Sequence, residues 1–241
     1  MTDYDAATYG DRIAEVYDEW FGVPSDTEDT VSFLADLAGP GPALELGIGT
    51  GRVALPLVQR GHEVYGIDAS EAMVEKLRAK TGDIPVTIGD FAELDIEGEY
   101  YLGYAVFNTL FALLSQEDQV QCFSHVAGRL REGGVFVIEA FVPDMTRWDR
   151  GQRIEAHHVE NDSVILGVSM HDPVEQRVAS NHLVVSGSGV KLYPVRLRYA
   201  WPSELDLMAR LAGLRLRERW GGWQREPFTG SSIKHVSVYE R

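Results

Sequence analysis

The chain has 241 residues and a formal net charge of −15, and 44% of its residues are hydrophobic. These values are typical of a globular protein with a sizeable buried core. A polyanion such as DNA or RNA would be repelled by this charge in the absence of a strong basic patch. The densest basic run, Arg210 to Arg219, has arginines at positions 215, 217 and 219, and this alternation predicts the solvent face of a strand. We therefore expect no nucleic-acid partner.

The sequence also excludes several cellular locations. No apolar stretch reaches the roughly 18 residues that a membrane helix needs, so no membrane partner is expected. The acidic start, Met1 to Asp5, lacks the pattern of a signal peptide. Cys122 is the only cysteine, which excludes an internal disulfide, and its helix-like surroundings predict a buried, inert thiol. These features predict a cytoplasmic protein.

The first half of the chain alternates between helices and strands. Apolar spacing predicts a helix around residues 13–20 and another at 31–37, which Ser25 and Asp26 are suited to cap. Further predicted strands lie at 43–46, 63–67, 86–88, 100–107 and 135–140, and helices at 52–60, 71–80 and 116–131, the last ended by Gly133 and Gly134. This alternation indicates a parallel sheet with helices on both faces.

The alternation stops after Pro143. Strand follows strand from about residue 154 to 199, and Pro194 in the last of these runs predicts an edge strand or a bulge. A helix near 204–211 and strands at 214–220 and 233–239 follow. We therefore expect one domain made of residues 1–143 and 200–241, and an inserted antiparallel β subdomain at 150–199 that forms an acceptor site or a dimer contact.

A glycine-rich turn, Glu45-Leu46-Gly47-Ile48-Gly49-Thr50-Gly51, lies between the first strand of the sheet and the next helix. Glycines permit a tight turn and the close approach of a ligand, and the helix N-terminus offers N–H groups to an anionic group. The dinucleotide fingerprint G-x-G-x-x-G fails at Arg52 if counted from Gly47, but its permissive form fits if counted from Gly49. The turn alone therefore does not exclude a nicotinamide cofactor.

Two aspartates follow the next two strands. Asp68 can accept hydrogen bonds from ribose hydroxyls, or it can cap the helix near Glu71, a role that Ser70 could also fill. Asp90 could accept from an adenine amino group, with Phe91 and Met73 on the two faces of the ring, although an aspartate after a glycine is also common in turns. Together with the glycine turn, these residues predict a nucleoside-shaped site along one edge of the sheet.

In this order and spacing, the motifs resemble those of the class I methyltransferases that depend on S-adenosylmethionine (SAM). The resemblance covers about residues 9–140: residues 45–51 resemble the first motif, Asp68 the end of the second strand, residues 89–91 the adenine motif, 107–109 the fourth motif and 130–134 the lead into the fifth strand. It implies an α/β fold with a Rossmann-like, doubly wound, mostly parallel seven-stranded sheet, an antiparallel final strand at 233–239, and an antiparallel β insertion after the fifth strand.

The resemblance also implies the cofactor and its contacts. The implied SAM-binding residues are Tyr9, Tyr17, Glu45, Gly47, Gly49, Gly51, Asp68, Ala69, Met73, Asp90, Phe91 and Phe107. It extends to small-molecule N-methyltransferases of the amino-sugar and glycine types, in which a tyrosine on an N-terminal helix closes over the cofactor. Tyr17 fits that role and fits equally well the apolar face of its own helix.

The carboxyl ends of the fourth and fifth strands predict where an acceptor binds, because the ligand crevice of an open α/β sheet lies at that edge. Asn108, Glu139 and Phe141 lie there, and Trp223 is a further candidate for an aromatic wall. Candidate bases are Glu139 and four histidines of the insertion, His157, His158, His171 and His182. Neighbours on a strand point to opposite faces, so at most one of His157 and His158 should reach a site. No His or Cys spacing indicates a metal.

The expected activity is transfer of a methyl group from SAM to a nitrogen or oxygen of a small molecule, in natural-product biosynthesis. A nicotinamide-dependent oxidoreductase is the first alternative, although no tyrosine is followed by a lysine four positions on, as one common form of that chemistry requires. The second alternative is a SAM-binding module without catalysis. A homodimer is left open.

Overall fold

The computed structural model describes residues 4–21, 26–93 and 96–241, and this part of the chain contains two β-sheets. The helices are α1 Thr8–Ile13, α2 Tyr17–Phe21, α3 Thr27–Leu37, α4 Ala54–Gln59, α5 Glu71–Lys80, α6 Gln116–Arg129 and α7 Pro202–Leu211. The strands are β1 Ala43–Leu46, β2 Val64–Asp68, β3 Val86–Ile88, β4 Tyr100–Ala105, β5 Leu130–Phe141, β6 Gln152–Val159, β7 Ser163–Asp172, β8 Arg177–Ser186, β9 Gly189–Arg198, β10 Arg215–Trp220 and β11 Lys234–Glu240. None of the described helices combines the length and the hydropathy needed to cross a membrane.

The larger sheet has seven strands in the order β10-β11-β5-β4-β1-β2-β3. Strands β1 to β5 run parallel, whereas β11 pairs antiparallel with both β5 and β10. Apolar clusters on both faces cover the central strands, and all four residues of β1 are buried. The predicted doubly wound α/β sheet with a final antiparallel strand is therefore confirmed.

Strand β1 marks the point where the direction of winding changes. The chain passes outward from β1 to β2 and β3, then returns to place β4 and β5 on the other side of β1. The loops that follow β1 and β4 therefore leave in opposite directions and open a crevice at the carboxyl edge of the sheet.

The second sheet contains four antiparallel strands in the order β6-β7-β8-β9. Pro194 lies in β9, an edge strand of this sheet, as its missing N–H predicts. Helix α1 packs against β9, and the ring of Trp20 in α2 meets that of Tyr193 at a centroid distance of 5.0 Å. The N-terminal helices thus connect the two sheets.

Two expectations for helices were wrong. The apolar pattern at 13–20 belongs to two short helices, α1 and α2, because the chain turns between Ala14 and Val16. Helix α6 ends at Arg129, so Gly133 and Gly134 lie inside β5 and do not end the helix. A Cβ at Gly134 would lie 2.8 Å from the carbonyl oxygen of Arg131. This glycine therefore permits close contact between backbone segments within the sheet.

The arginines of β10 do not all face solvent. Arg215 and Arg217 are exposed, but the side chain of Arg219 is only 13% exposed and pairs with Asp206 at 2.5 Å. Strand β10 shifts register between Leu216 and Glu218, and this bulge breaks the strict alternation on which the expectation rested.

The ends of two other elements also differ from expectation. Strand β4 stops at Ala105, because Phe107 and Asn108 have positive φ angles of 57° and 65°. Asp26 occupies the N-cap position of α3 without a side-chain cap, and its carboxylate pairs instead with Lys234 at 2.7 Å. Ser25, the other predicted cap, lies outside the described residues.

Candidate functional site

The glycine turn follows β1 and folds back against the sheet. Gly47, Gly49 and Gly51 have φ angles of 65°, 55° and 83°, a region that L side chains rarely adopt. A Cβ at Gly47 would also lie 2.6 Å from Cγ2 of Thr109. Glycine at position 47 is therefore required by both conformation and space.

Asp68 is joined directly to this turn. One carboxylate oxygen accepts from the N–H of Gly49 at 2.8 Å and the other from the N–H of Ser70 at 2.9 Å. Ser70 caps α5 by accepting from the N–H of Met73, so the cap role that Asp68 could have filled belongs to Ser70. Burial raises the pKa of Asp68, and the two N–H groups oppose that rise.

The predicted adenine residues are only partly brought together. Asp90 lies just after β3 at the same edge, where its carboxylate accepts from the N–H of Ala92 at 2.8 Å. Phe91 packs into the core beside Ile67, whereas Met73 belongs to a separate cluster near Gly49. The contacts within the protein thus do not place Phe91 and Met73 on two sides of one space.

Glu45 is a buried carboxyl group under the turn. Its oxygen accepts from the hydroxyl of Tyr104 at 3.0 Å. Burial raises its pKa to about 8, although Tyr104 and the nearby Arg52 favour the charged form. Burial therefore favours the neutral form of this carboxyl, and a cation brought near it would favour its ionisation.

Helices α1 and α2, residues 8–21, form an N-terminal cover over the turn. Asp18 accepts from the hydroxyl of Thr50 at 2.6 Å and pairs with Lys80 at 2.6 Å. Asp11 accepts from the hydroxyl of Ser70 at 2.6 Å. The cover is thereby attached both to the glycine turn and to the start of α5.

The two predicted tyrosines lie in this cover. Tyr9 and Tyr17 pack in one apolar cluster with Met73 and Ile13, and burial raises the pKa of both hydroxyls. Ala69 lies in the loop between Asp68 and Ser70. The predicted residues Tyr9, Tyr17, Gly49, Asp68, Ala69 and Met73 therefore surround the same end of the sheet.

Arg52 is a site residue that the sequence reasoning missed. Its guanidinium carbon lies 5.1 Å from the ring centroid of Phe107, and it donates to the hydroxyl of Thr27 at 3.1 Å. Its charge also acts on Tyr17 and Glu45. Arg52 drew attention only as the residue that breaks a dinucleotide fingerprint, although its place directly after the last glycine was itself a signal.

The loop after β4 is held by the end of β5. Phe107 donates its N–H to one carboxylate oxygen of Glu139 at 2.6 Å, and Asn108 accepts from the N–H of Phe141 at 2.7 Å. Lys234 lies 3.3 Å from the other oxygen of Glu139. Both oxygens of Glu139 are thus engaged within the protein, which favours a positioning role for this residue over that of a free base.

Two neighbouring clefts open beside this loop. The larger, about 960 Å³, is bordered by Asp26, Phe107, Asn108, Glu139, Phe141, Arg147, Arg153 and Lys234. The smaller, about 230 Å³, lies against the second sheet and is bordered by Phe141, Arg147, Trp148, Arg153, Glu155, His157, Ser180 and His182. Phe141, Arg147 and Arg153 border both clefts, so the two spaces are adjacent between the edge of the larger sheet and the inner face of the second sheet.

The histidines of the insertion separate into two groups. His157 and His182 border the smaller cleft with ring centroids 5.3 Å apart, and burial lowers the pKa of His182. His158 is exposed and bonded to Glu160, and His171 is bonded to the hydroxyl of Tyr199. Strand β6 shifts register between Ala156 and His158, so the simple alternation expected for the histidine pair is interrupted.

Trp223 does not reach either cleft. It is 4% exposed and packs in the core, with its ring 5.4 Å from that of Phe33. The apolar character that marked it as a candidate for an acceptor wall is used instead to cover the larger sheet. Within the described ranges, no group of three or more His, Cys, Asp or Glu side chains is arranged to hold a metal ion.

Comparisons with known proteins place this geometry in a family. A family model described as a methyltransferase domain matches residues 43–134. The CcbJ methyltransferase from Streptomyces caelestis is 45% identical, each chain covers 98% of the other, and the two structures superpose with a TM-score of 0.92. The Cypemycin N-terminal methyltransferase from Streptomyces sp is 26% identical over 243 residues, which are 98% of this chain and 99% of that protein.

A more distant structure has the same fold. SAM-bound CalS10 from Micromonospora echinaspora, an amino pentose methyltransferase involved in calicheamicin biosynthesis, is 18% identical. The alignment covers 100% of this chain and 99% of CalS10, with a TM-score of 0.71.

The fold and the site define an enzyme that uses a nucleoside cofactor at the carboxyl edge of a doubly wound sheet. This chain belongs to the class I SAM-dependent methyltransferases. It is an enzyme with SAM as its cofactor. The three glycines, whose conformation permits close backbone approach, and the half-buried carboxyl group of Asp68 fit such a group, since SAM offers both hydroxyl donors and a positive charge.

Proposed function

We propose that this enzyme methylates a nitrogen of a small-molecule acceptor in natural-product biosynthesis. The observation that carries this proposal is the cleft at the ends of β4 and β5, in which both carboxylate oxygens of Glu139 are engaged by Phe107 and Lys234. A neutral amine needs no base to attack a methyl group, whereas a hydroxyl usually needs one. The similarity to an N-terminal methyltransferase and to an amino pentose methyltransferase adds support.

Our assignment of the cofactor site follows the residues gathered at the sheet edge. SAM supplies an electrophilic methyl group on a positively charged sulfur. We assign Asp68 to the ribose hydroxyls, Asp90 to the adenine amino group, and the turn at Gly47, Gly49 and Gly51 to close backbone contact. The proposed remaining contacts are Tyr9, Tyr17, Glu45, Ala69, Met73, Phe91 and Phe107.

The acceptor would lie in the larger cleft against Asn108 and Phe141, with Glu139 fixing the loop that carries Phe107. Holding two reactants aligned can lower the activation barrier by roughly 7–11 kcal/mol. A general base accelerates the reaction roughly 10²–10⁴-fold, which corresponds to a smaller reduction of about 3–5 kcal/mol. The acceptor nitrogen forms the new N–C bond as the C–S bond breaks, and the resulting ammonium then loses its proton to water.

A hydroxyl acceptor remains the second candidate because of the histidines. His157 lies 3.8 Å from Glu155 and borders the smaller cleft with His182. A neutral histidine there can accept a proton from a hydroxyl, which makes His157 the proposed base in an O-methylation. His158 is directed to Glu160, and we do not assign it this role.

The test is a turnover screen by mass spectrometry with matched pairs of amines and alcohols of the same skeleton. We expect methylated amines, and we expect His157→Gln to retain most of the rate. Asp68→Ala serves as the cofactor control and should weaken SAM binding at least about tenfold, because a hydrogen bond to a charged group contributes about 1.5–3 kcal/mol. Methylation of the alcohols alone, with loss of activity in His157→Gln, would contradict the choice of nitrogen.

We further propose that residues 1–143 and 200–241 form the cofactor domain and that residues 150–199 form a subdomain supplying the second wall of the acceptor site. The smaller cleft, which lies against that subdomain, supports this division. We also propose a cytoplasmic location, which the single cysteine, Cys122, supports as a buried thiol whose pKa is raised by burial.

A further inference from the structure

Two arginines border both clefts. Arg147 lies in the short helical turn Met145–Arg147 after β5, and Arg153 lies in β6. The hydroxyl of Thr146 first, and then the charges of both arginines, lower the pKa of the exposed carboxyl of Asp144. Two positive charges therefore act at one place, where the larger cleft adjoins the smaller one.

The charge of Arg153 is balanced within the protein, and so is that of the lysine in the larger cleft. Arg153 pairs with Glu155 on the same strand. Lys234 pairs with Asp26 at 2.7 Å and lies 3.3 Å from Glu139. Neither of these two cations has a charge to spare for a ligand.

Arg147 differs from these two residues. None of the ion pairs in the described part of the chain includes it, although the sequence has 37 acidic residues against 22 basic ones. Asp144, on the same turn, accepts instead from the N–H and the hydroxyl of Thr146, at 2.9 and 2.6 Å. Arg147 is exposed, so its positive charge is available to a ligand in the clefts.

An aromatic side chain supports Arg147 from one side. The guanidinium carbon of Arg147 lies 5.8 Å from the ring centroid of Trp148. That ring stacks on His171 at a centroid distance of 4.3 Å, and its N–H donates to the hydroxyl of Ser169 at 3.0 Å. Because Trp148 is attached to the second sheet, Arg147 is kept beside a fixed wall of the smaller cleft.

We propose that Arg147 binds a carboxylate group of the acceptor, so that the enzyme acts on amines that carry an acid group. This rests on the proposed function, in which the acceptor nitrogen lies in the larger cleft. The planar guanidinium group matches the two oxygens of a carboxylate and forms charge-assisted hydrogen bonds with them. A phosphate monoester carries about −1.5 to −2 charges, and the second charge would be repelled by Asp144 and Glu155. One unbalanced positive charge therefore fits a carboxylate better.

The remaining charges of the larger cleft give such an acceptor one orientation. Asp26, Glu139 and Lys234 border the larger cleft but not the smaller one, and they carry two negative charges against one positive charge. An amine that arrives as an ammonium ion is attracted to this end, and its acid group is attracted to Arg147. The nitrogen is thereby directed to the carboxyl edge of the larger sheet and the carboxylate toward the second sheet.

Isothermal titration calorimetry with matched ligands tests the proposal. The full-length protein is saturated with S-adenosylhomocysteine, which has no methyl group to transfer, so that only binding is measured. The ligands are straight-chain amino acids with two to five methylene groups between nitrogen and carboxyl group, each compared with its carboxamide. We expect at least one acid to bind at least about tenfold more tightly than its carboxamide, because hydrogen bonds to charged groups are the stronger ones. Added salt should reduce this ratio, since Arg147 is exposed.

Three variants locate the effect. Arg147→Gln should bring the ratio of the two dissociation constants to about one, and Arg147→Glu should reverse the preference. Arg217→Gln is the matched control, because Arg217 is exposed in β10 and borders neither cleft, and it should keep the wild-type ratio. Circular dichroism checks that each variant is folded, and Arg147→Glu keeps the test decisive if Arg147→Gln is not.

The proposal is overturned if no acid in the series binds more tightly than its carboxamide, or if the preference persists in a folded Arg147 variant. Tighter binding of the matching aminoalkyl phosphonates than of the acids would also overturn the choice of a carboxylate. Turnover of the same series with SAM separates this proposal from the proposed function. Methylation of amines without preference for acids contradicts the role of Arg147 alone. Methylation of hydroxy acids alone, with a preference that depends on Arg147, contradicts only the choice of nitrogen and supports the carboxylate site.

Discussion

At the scale of single residues, the site combines a half-buried carboxyl group, Asp68, with a buried one, Glu45, and their surroundings affect them differently. Asp68 receives two backbone N–H bonds, whereas Glu45 receives one hydroxyl bond in a fully buried position. Burial raises the pKa of both, and for Glu45 it does so to about 8. In the absence of cofactor, and at pH values between 4.5 and about 8, Glu45 therefore binds a proton in the folded chain that the unfolded chain would release.

This proton makes stability depend on pH. The pKa of Glu45 is about 8 in the folded chain, against an ordinary value of 4.5. Between these values the folded state binds more protons than the unfolded state, so the contribution of Glu45 to stability falls as pH rises, by at most about 1.4 kcal/mol per pH unit. Glu45→Gln should remove this slope, because glutamine is neutral throughout and can still accept from Tyr104.

Urea unfolding of the cofactor-free protein at several pH values within that interval measures the effect. Because other groups titrate equally in both proteins, the difference between wild type and variant isolates Glu45. Parallel curves for the two proteins would show that Glu45 is charged in the folded state at neutral pH.

At the scale of elements, the N-terminal cover holds the glycine turn from outside. Its contacts are polar at both ends, with Asp18 bonded to Thr50 and Lys80, and Asp11 bonded to Ser70. The two short helices also pack an apolar cluster around Ile13 and Tyr17, and short helices depend on such tertiary contacts for stability. The polar bonds add to this packing in holding the cover over the turn.

Asp18→Asn should open this cover more often. The variant loses the ion pair with Lys80, which is partly exposed and hence worth no more than about 1 kcal/mol, so SAM should dissociate up to about fivefold faster. Stopped-flow fluorescence of SAM release measures the rate. Glu15→Gln, an exposed carboxylate between the same two helices, is the control and should release SAM at the wild-type rate. Equal rates in Asp18→Asn and wild type would show that this contact of the cover does not control the rate of cofactor release.

Periodicity predicted most helices and strands because each carries its own apolar face. Register shifts were not predictable, since they depend on which strand lies beside another. The prediction that Arg219 faces solvent was wrong because of such a shift in β10. A second shift, in β6, interrupts the alternation of side chains at His157 and His158. Gly133 and Gly134 were interpreted as a helix end because the local sequence does not show the close backbone contact that requires glycine at position 134.

The site was predictable where its residues follow neighbouring strands. Gly49 and Asp68 are 19 residues apart, and the order of strands alone brings them together. Lys234 joins Asp26 and Glu139 across separations of 208 and 95 residues, which no local pattern records. Trp223 was misplaced because an aromatic side chain can fill a core or line a cleft, and only the packing around Phe33 decides between these.

At the scale of the whole molecule, the two sheets perform separate tasks within one chain. The seven-stranded sheet carries the glycine turn, Asp68 and the loop at Phe107, and the four-stranded sheet forms the far side of the smaller cleft. Binding of SAM at the seven-stranded sheet should stabilise the whole chain, because a ligand that binds only the folded state shifts the unfolding equilibrium.

SAM at about one hundred times its dissociation constant should raise the melting temperature by roughly 5–10 °C, which corresponds to about 2.7 kcal/mol of binding for a chain of this size. Differential scanning fluorimetry measures the shift. NAD at the same concentration is the control and should leave the melting temperature unchanged. A shift with NAD and none with SAM would be incompatible with the assigned cofactor.

The short helix α2 touches both halves of the machinery. Asp18 accepts a hydrogen bond from Thr50 of the glycine turn, while two residues further on the ring of Trp20 lies edge-on to that of His182 on the second sheet, at a centroid distance of 6.1 Å. Any movement of this helix away from the glycine turn would therefore also separate Trp20 from His182, which borders the smaller cleft. We expect release of the spent cofactor and release of the methylated acceptor to be coupled through this helix.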